Sequence, residues 1–294
     1  MTSETRGTRT RRGAGTRRGA GLQRHAGRIT YAVLALFAAG SLFPLLWTAI
    51  AASRNTTRLA QTPPPFWFGG NLVRNLRIAW TDANMGTALF NTVLVAGTVA
   101  AGTVLFSTLA GFAFAKLRFR FKSLLLLLVI GTMMVPPQLG VVPLYMLIAE
   151  LSWTDRLQAV VLPTLVSAFG VFFMRQYLVQ ALPTELIEAA RVDGASSWRV
   201  VWHVVFPAAR PAMAVLGMLT FVLAWNDFFW PIIALTQNGS PTVQVALTGL
   251  GRGYIPDQSV IMAGALLGTL PLLLAFVIFG KHIVGGIMTG AVKG

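Results

Sequence analysis

The sequence contains no cysteine, few charges and only three histidines. Of its 294 residues, 11% are charged and 55% are hydrophobic, and the mean hydropathy is +0.66. A soluble domain carries roughly 25% charged residues, so a chain this apolar cannot cover its own surface with polar groups. The lack of cysteine excludes disulfides and thiolate metal sites, and the scattered histidines form no metal-binding pattern. Composition therefore indicates an integral membrane protein with no cofactor.

Acidic residues are also scarce, which leaves a net charge of +15. An excess of this size is typical of proteins that bind nucleic acid, but its distribution does not fit such a protein. Eight of the 24 Lys and Arg residues precede Ile29, and most of the others flank apolar segments. No nucleic-acid partner is therefore predicted. Residues 1–28, rich in Arg, Gly and Thr, are predicted to form a disordered basic tail attracted to anionic membrane lipid.

Six apolar segments follow the basic tail. Each is close to the roughly 20 residues that cross a bilayer, and helices are expected because an isolated strand cannot satisfy its backbone in lipid. Their approximate bounds are 29–51, 87–115, 123–149, 158–180, 212–236 and 259–281. The expected fold class is an all-α integral membrane protein with about six transmembrane helices.

The basic residues between these segments indicate an orientation. With a cytoplasmic N-terminus, the inside segments carry about three times as many Lys and Arg residues as the outside ones, as the positive-inside rule requires. Both termini are therefore expected in the cytoplasm. A cleaved leader ending near Ala51 is an alternative for the first segment. Its apolar stretch of about 20 residues exceeds the 7–15 of a signal peptide, which favours an uncleaved span.

The stretch between the fourth and fifth segments has the signals of two short helices joined at a glycine. Thr184 is a candidate N-cap of the first helix, and Gly194 suits the C′ position that follows it. Ser196 can cap the second helix, and Pro207 is expected to end it. Apolar residues repeat at helical spacing along this second helix, at Trp198, Val201, Trp202 and Val205. Such an apolar face needs a protein partner or, alternatively, a lipid surface to pack on.

The same stretch resembles the signature loop of bacterial ABC import permeases. That loop reads Glu-Ala-Ala, three residues, Gly, nine residues, and then an apolar-x-apolar-Pro ending. The matching residues here are Glu188-Ala189-Ala190, Gly194 and Val204-Val205-Phe206-Pro207. The run Asp193-Gly194-Ala195-Ser196 is typical of the carbohydrate-uptake branch of these permeases.

Other segments match that branch in the same order. They are Phe90-Asn91-Thr92, Val135-Pro136-Pro137-Gln138, the run from Trp225 to Pro231, and the ending 286–294. The ending is similar to that of the shorter maltose-type permease subunit, from which Met288 and Thr289 depart. A contact of this ending with an ATPase is therefore less secure than one made by the loop.

The resemblance implies a role as one subunit of a larger importer. Residues 29–294 would form a transmembrane permease domain of the type I ABC importer class, in the bacterial inner membrane, with a coupling loop at about 183–211. Its partners would be a second homologous permease subunit, two ATPase subunits and an extracytoplasmic solute-binding protein. The solute would be a sugar or oligosaccharide. The residues implied to couple to the ATPase are Glu188, Ala189, Ala190, Asp193, Gly194, Ser196, Trp198, Val201, Trp202 and Pro207.

Asp227 is the carboxylate deepest within an apolar segment. A charge at the centre of a membrane helix costs roughly 2.5–3.5 kcal/mol on insertion scales, so Asp227 is expected to face a wet cavity or a partner. Aromatic rings beside hydrogen-bonding groups suit a sugar, which indicates a translocation path. Its candidate residues are Asn226, Asp227, Trp225, Phe228 and, at a proline bend, Gln138. Alternatively, the rings form an interfacial belt and Asp227 pairs across a subunit interface.

Catalysis is not expected in this chain. It has no Gly-x-x-x-x-Gly-Lys-[Ser/Thr] loop, so ATP would be hydrolysed by a partner. Two other functions stay open at this point. A stand-alone ion-coupled secondary transporter would need several intramembrane carboxylates, and only Asp227 is clearly at depth. A non-transporting membrane scaffold or sensor fits the composition equally well.

Overall fold

A computed structural model describes residues 18–236, 239–252 and 256–291, with side chains for residue 27 and, within those ranges, residues 29–278. Residues 1–17 of the tail predicted at 1–28, and residues 292–294 of the C-terminal motif, lie outside the described residues. Every regular element in the described part is helical. Among the described residues, four helices are long and apolar enough to cross a membrane, and the number is six if each of two bent helix pairs is one span. The prediction of an all-α membrane protein with about six spans is confirmed.

The chain forms two compact units, residues 1–48 and 49–294. The first unit contains most of α1 (Arg18–Ala52), whose apolar part, Ile29–Ala52, matches the first predicted span. The helix begins at Arg18, so residues 18–28 are helical although composition predicts disorder for them. Local propensity does not account for this extension, because Gly19, Gly21 and Gly27 each cost about 1 kcal/mol relative to alanine. The helix instead continues outward from the apolar span, where nucleation has already occurred.

The second unit consists of long helices and bent helix pairs joined by short helices. Its first half contains α2 (Thr56–Leu59), α3 (Leu72–Asp82), α4 (Met85–Lys116), α5 (Lys122–Thr132), α6 (Val141–Glu150), α7 (Leu157–Thr164) and α8 (Ala168–Ala181). Its second half contains α9 (Thr184–Val192), α10 (Ser197–Val200), α11 (Phe206–Asn226), α12 (Phe229–Ala234), α13 (Val243–Leu250) and α14 (Gln258–Ala291). A π-helical turn at Val201–Val205 joins α10 and α11 into one continuous helix, Ser197–Asn226, called the long helix below.

Two predicted spans are bent. The third is divided into α5 and the segment Pro137–Glu150, which meet at 92°. Pro136 and Pro137 cause this break because proline lacks a backbone N–H and disfavours helix for the residue before it, and the bend expected beside Gln138 is present. The fourth span bends by 41° between α7 and α8, directly after Pro163.

The fifth predicted span, 212–236, is displaced in the structure. The long helix begins at Ser197 and ends at Asn226, and α12 follows as a separate short helix. The prediction that Pro207 ends a short second helix is wrong. In the π-helical turn the Phe206 N–H donates to the carbonyl of Val201, and this wider turn accommodates a proline that has no N–H to donate. The loop predicted at about 183–211 is therefore α9, a short turn and the start of the long helix.

Helices α4, α8 and α11 form the centre of the second unit. Glycines allow α4 and α8 to approach closely: a Cβ at Gly111 would lie 2.8 Å from the backbone N of Arg175, and one at Gly170 would lie 2.3 Å from Oγ of Ser107. Small residues at such contacts are the usual device for packing helices in a membrane. The packed helices form the base on which α9 and the first turns of the long helix rest.

Candidate functional site

The turn between α9 and the long helix is a complete Schellman motif. Gly194 has φ of +76°, a left-handed conformation that glycine adopts without a Cβ penalty. Its N–H donates to the carbonyl of Arg191 at 3.0 Å, and the N–H of Ala195 donates to the carbonyl of Ala190 at 2.9 Å. Both bonds satisfy carbonyls at the end of α9. The predicted role of Gly194 as the C′ residue is confirmed, and the turn has a single defined geometry.

The two N-termini differ in how they are capped. Oγ of Ser196 accepts the N–H of Arg199 at 3.4 Å, as predicted for the second helix. Thr184 does not cap α9, because the N-cap position is Pro183 and no side chain bonds to the free N–H groups there. Glu185 lies in the first turn and Arg191 in the last, where their charges complement the helix dipole.

One face of this segment is buried against the protein itself. Ile187 of α9 and Val200, Val201 and Val205 of the long helix belong to a core cluster with Met174 and Leu178 of α8. Ala190 and Ala195, on either side of the turn, pack against the same cluster. Val201 therefore has a structural position, which corrects the expectation that the whole apolar stripe is free for a partner. Because the stripe is split, the segment is held firmly on the bundle.

Several other apolar side chains of the same segment are exposed. The side chains of Trp198 and Trp202 are 66% and 57% exposed, and those of Leu186 and Val192 are exposed as well. The Trp202 ring packs edge to face on Phe206 with centroids 4.8 Å apart, which fixes its orientation. These four residues are called the coupling face below. Large apolar side chains outside the bundle, on a rigid turn, are the usual mark of a protein contact.

Most other predicted coupling residues lie beside this face. Glu188, Ala189, Asp193, Gly194, Ser196 and Pro207 are exposed, and Ala190 is half-buried. The exposed charged residues of this segment include Glu188, Arg191, Asp193 and Arg199. An apolar centre with a polar rim is the general anatomy of a protein interface.

A second feature is a cavity of about 390 Å³ between α4, the α7–α8 bend and α11. Its polar lining consists of Thr103, Thr164, Ser167, Thr220 and Asp227, and its apolar lining includes Phe169 and several aliphatic side chains. The hydroxyls of Thr103 and Thr164 donate to backbone carbonyls, and Ser167 Oγ accepts the N–H of Gly170. A mostly apolar cavity with a few fixed polar groups is the usual composition of a small-molecule site.

Asp227 occupies the break between the long helix and α12. Its carboxylate is close to the backbone N–H groups of Phe229 and Trp230, which places it to cap the first turn of α12, where the N-cap residue Phe228 supplies no side-chain bond. It also borders the cavity. Of the two surroundings predicted for Asp227, a wet cavity or a partner, the structure shows a cavity that hydroxyl groups also line. That an intramembrane charge is tolerated there stays a prediction.

The other residues predicted for the path are dispersed around Asp227. Trp225 is 2% exposed and its indole N–H donates to the carbonyl of Gly268 at 3.1 Å, so it packs α11 on α14. Asn226 is exposed and its amide donates to its own helix at Val222. Phe228 is exposed beside it, and Gln138 lies exposed on the short helical turn Pro137–Gly140. None of these four residues lines the cavity.

The hydroxyl residues of the cavity were missed by reasoning from the sequence. Thr164 and Ser167 flank the bend after Pro163, and a hydroxyl beside a proline inside an apolar segment is a usable signal of such a site. Thr103 and Thr220 give no signal of this kind, because Thr103 is one of six hydroxyl residues along α4 and Thr220 stands alone in the apolar α11, with no proline beside either. Only the packing of α4 on α11 brings them to one space.

The family follows from comparisons with known proteins. Residues 104–288 match the model of the family described as the binding-protein-dependent transport system inner membrane component. The matched region includes α9, the coupling face and the cavity residues on α7, α8 and α11. The chain belongs to this family, and it is a multi-pass permease subunit of the inner membrane.

Individual relatives match over nearly their whole length. The chain is 32% identical to the lactose transport system permease protein LacG of Rhizobium radiobacter, over 90% of this chain and 96% of that protein. It is 30% identical to the arabinooligosaccharides transport system permease protein AraQ of Halalkalibacterium halodurans, over 90% and 95%. It is 29% identical to the sn-glycerol-3-phosphate transport system permease protein UgpE of Yersinia enterocolitica, over 84% and 90%.

A solved structure has the same fold. A chain of a bacterial ABC transporter involved in the import of the acidic polysaccharide alginate superimposes with a TM-score of 0.74, covering 88% of this chain and 96% of that one. The two sequences are 20% identical, so this likeness concerns the fold alone.

Proposed function

We propose that this chain forms half of the translocation path of an ATP-driven importer for a sugar or oligosaccharide. A second homologous permease subunit completes the path, two copies of a separate ATPase drive it, and an extracytoplasmic solute-binding protein delivers the solute. Both termini lie in the cytoplasm. The observation that carries the proposal is the coupling face, an exposed apolar surface on a rigid turn that is anchored from behind.

The ATPase is the proposed partner of the coupling face. Trp198 and Trp202 present large exposed rings of the kind that dominate protein interfaces, and the exposed charges of the same segment are of the kind found at an interface rim. The buried face formed by Ile187, Val200 and Val201 makes α9 and the start of the long helix move as one piece. Closure of the ATPases would therefore displace this segment without deforming it.

The long helix connects the coupling face with the cavity. Trp198 and Trp202 lie in its first turns, while Leu216, Thr220 and Leu223 line the cavity near its other end. A helix of 30 residues is about 45 Å long, so movement of one end is transmitted to the other through a continuous hydrogen-bond ladder. The π-helical turn Val201–Val205 widens this ladder without breaking it, because the Phe206 N–H still donates to the carbonyl of Val201.

Crosslinking tests the docking directly, since the chain has no native cysteine. Ser196→Cys places a thiol beside the coupling face. It also removes the hydroxyl that accepts the Arg199 N–H at the start of the long helix, which costs about 1 kcal/mol. Ser197→Cys places a thiol one residue further on, at an exposed position without a capping bond. We expect both variants to crosslink to cysteines engineered along the groove of the cognate ATPase, measured as a shifted band on a non-reducing gel.

Thr57→Cys is the matched control for this crosslinking. Thr57 is exposed in α2, on the side that the charge bias assigns to the extracytoplasmic space, so it should form no crosslink with the ATPase. Crosslinking of Thr57→Cys with equal yield, or failure of both loop variants, would contradict the docking. Uptake that withstands ATP depletion but stops on addition of an uncoupler would instead indicate an ion-coupled transporter.

The cavity is the proposed solute contact of this subunit. Its hydroxyls can bond to the hydroxyls of a sugar, and the ring of Phe169 and the aliphatic lining suit the C–H faces. Asp227 is its one carboxylate among the lining residues, so a neutral solute is favoured over an anionic one. The named relatives include permeases for a neutral solute, lactose, and for an anionic one, sn-glycerol-3-phosphate.

Asp227→Asn tests the charge separately from the cap. The amide oxygen can still accept N–H bonds at the start of α12, but the negative charge is gone. At about 8 Å and an effective dielectric constant of 20, that charge opposes an anionic solute by about 2 kcal/mol. We expect uptake of a neutral sugar to be retained and the discrimination against its phosphorylated analogue to fall by roughly thirtyfold, measured by competition in proteoliposomes.

Asp227→Ala is the companion variant, because it removes the cap as well as the charge. It should lower the thermal stability in detergent, by about 1 kcal/mol for the lost cap, whereas Asp227→Asn should not. Unchanged discrimination in both variants would mean that the solute does not pass near Asp227.

A further inference from the structure

Three half-buried cations gather where α4 ends and α5 begins. Lys116 is the last residue of α4, Lys122 is the first of α5, and Arg175 lies on α8. Nζ of Lys116 donates to the carbonyl of Val179 at 3.4 Å, one helical turn from Arg175. Nζ of Lys122 lies at the carbonyl of Leu117, the residue after Lys116, and Lys122 is near enough to Lys116 and Arg175 to feel their charges. The three positive charges therefore form one cluster.

Only neutral groups of the described chain contact these charges. Nζ of Lys122 donates to the carbonyl of Leu117 at 2.9 Å, and Nη1 of Arg175 donates to the side chain of Gln176 at 2.8 Å. Nε of Arg175 is buried and has no hydrogen-bond acceptor among the residues that the structure describes. Like charges held together and partly removed from water cost free energy unless an anion pairs with them. In the part of the chain that the structure describes, the three cations therefore have no hydrogen-bonded anionic partner.

The surroundings of the cluster are those of a membrane surface. Helix α5 has no buried residue, and four exposed leucines follow Lys122 along it, at positions Leu124, Leu125, Leu127 and Leu128. Phe119 and Phe121 are exposed on the turn before α5, and aromatic rings favour the headgroup level of a bilayer. An anion that carries a hydrocarbon tail could pair with the cluster while its tail packs on the exposed apolar surface of α5.

We propose that Lys116, Lys122 and Arg175 bind the phosphate of an anionic phospholipid whose acyl chains lie along α5. The guanidinium of Arg175 offers paired donors suited to phosphate oxygens, and the two ammonium groups add charge. The site also borders the transport machinery, because Leu117 packs against the core cluster that contains Ile187 and Val200 at the back of the coupling face. A bound headgroup would thus support the base of α9.

The proposal is tested on the assembled importer in detergent, with binding of phosphatidylglycerol and phosphatidylcholine measured by native mass spectrometry. The triple variant Lys116→Gln, Lys122→Gln, Arg175→Gln should bind phosphatidylglycerol at least tenfold more weakly than the parent, since half-buried charges are screened less than exposed ones. Binding of phosphatidylcholine should stay the same. Arg175→Lys, which keeps the charge but loses the planar donor pair, should weaken binding by a smaller factor and covers the case that the triple variant fails to fold.

The matched control removes the same charge from exposed positions. Arg118→Gln, Arg120→Gln and Arg210→Gln together lower the net charge by three, and their effect on phosphatidylglycerol binding should stay within about threefold. Equal losses in both triple variants would overturn the proposal, since the effect would then follow net charge alone. Displacement of the lipid by millimolar inorganic phosphate would assign the site to a free anion. Unchanged lipid binding with loss of the ATPase would assign it to a protein contact, and either result would overturn the lipid site.

Discussion

Replacing both exposed tryptophans of the coupling face, Trp198→Ala with Trp202→Ala, is expected to abolish ATP-driven uptake while the protein still inserts and folds. The two side chains are mostly exposed, so their loss removes little of the chain's own packing beyond the Trp202–Phe206 pair, worth about 0.5–1.5 kcal/mol. Central aromatic residues of an interface contribute 2 kcal/mol or more each. Removing both side chains would cost about 4 kcal/mol or more, which weakens ATPase binding by roughly a thousandfold or more.

The measurement is retention of the ATPase during purification in detergent, together with uptake in proteoliposomes. Trp67→Ala is the matched control, because Trp67 is also a highly exposed tryptophan, but on the loop before α3. It should leave retention of the ATPase unchanged. Val201→Ala is a second comparison: it removes a buried side chain next to Trp202 and should lower stability before it affects docking. Retention of the ATPase by the double tryptophan variant would refute the proposed interface.

Substitutions at Gly194 are expected to lower uptake in a graded series, with the largest loss for proline. Gly194→Pro is incompatible with φ of +76° and removes the N–H that bonds to Arg191, so α9 can no longer join the long helix at this angle. A misplaced proline costs about 3 kcal/mol or more. We expect normal amounts of protein in the membrane but no uptake.

The milder members of the series separate backbone conformation from steric conflict. A Cβ at Gly194 would meet nothing within 4 Å, so Gly194→Ala pays only the cost of the left-handed conformation, about 1–2 kcal/mol. Gly194→Asn should be closest to the parent, because asparagine tolerates this conformation better than alanine does. The expected order of uptake is Gly, Asn, Ala and then Pro. Normal uptake by Gly194→Pro would mean that the turn geometry does not matter for coupling.

The local motifs of the coupling segment were predictable because their signals are short in range. A glycine two residues after the end of a helix and a serine before the next one define a Schellman turn and an N-cap, and the structure has both at Gly194 and Ser196. The apolar segments likewise specified where helices lie, since lipid requires long hydrogen-bonded apolar runs. Pro136 and Pro137 marked a real break in the third span.

The errors concern residues whose role depends on distant parts of the chain. Pro207 was expected to stop a helix, but the widened turn before it lets the helix continue to Asn226. Val201 and Trp202 are adjacent and both apolar, yet one is buried against α8 and the other is exposed. Trp225 was predicted to line a solute path because aromatic and hydrogen-bonding residues follow it in the sequence. In the structure its indole N–H donates to a backbone carbonyl of α14.

The sequence alone determined that this protein resides in a membrane, that it crosses the bilayer about six times, and that it carries a capped helical turn with the spacing of an import permease. These properties depend on composition and on contacts within a few residues, both of which can be read along the chain. The tertiary structure decided which side chains of that turn face outward, which hydroxyls meet Asp227 at one cavity, and which cations gather beside α5. Each of these depends on how helices far apart in the sequence pack, and in an apolar chain nearly every helix face is equally suited to burial, so the pattern of residues does not choose among them.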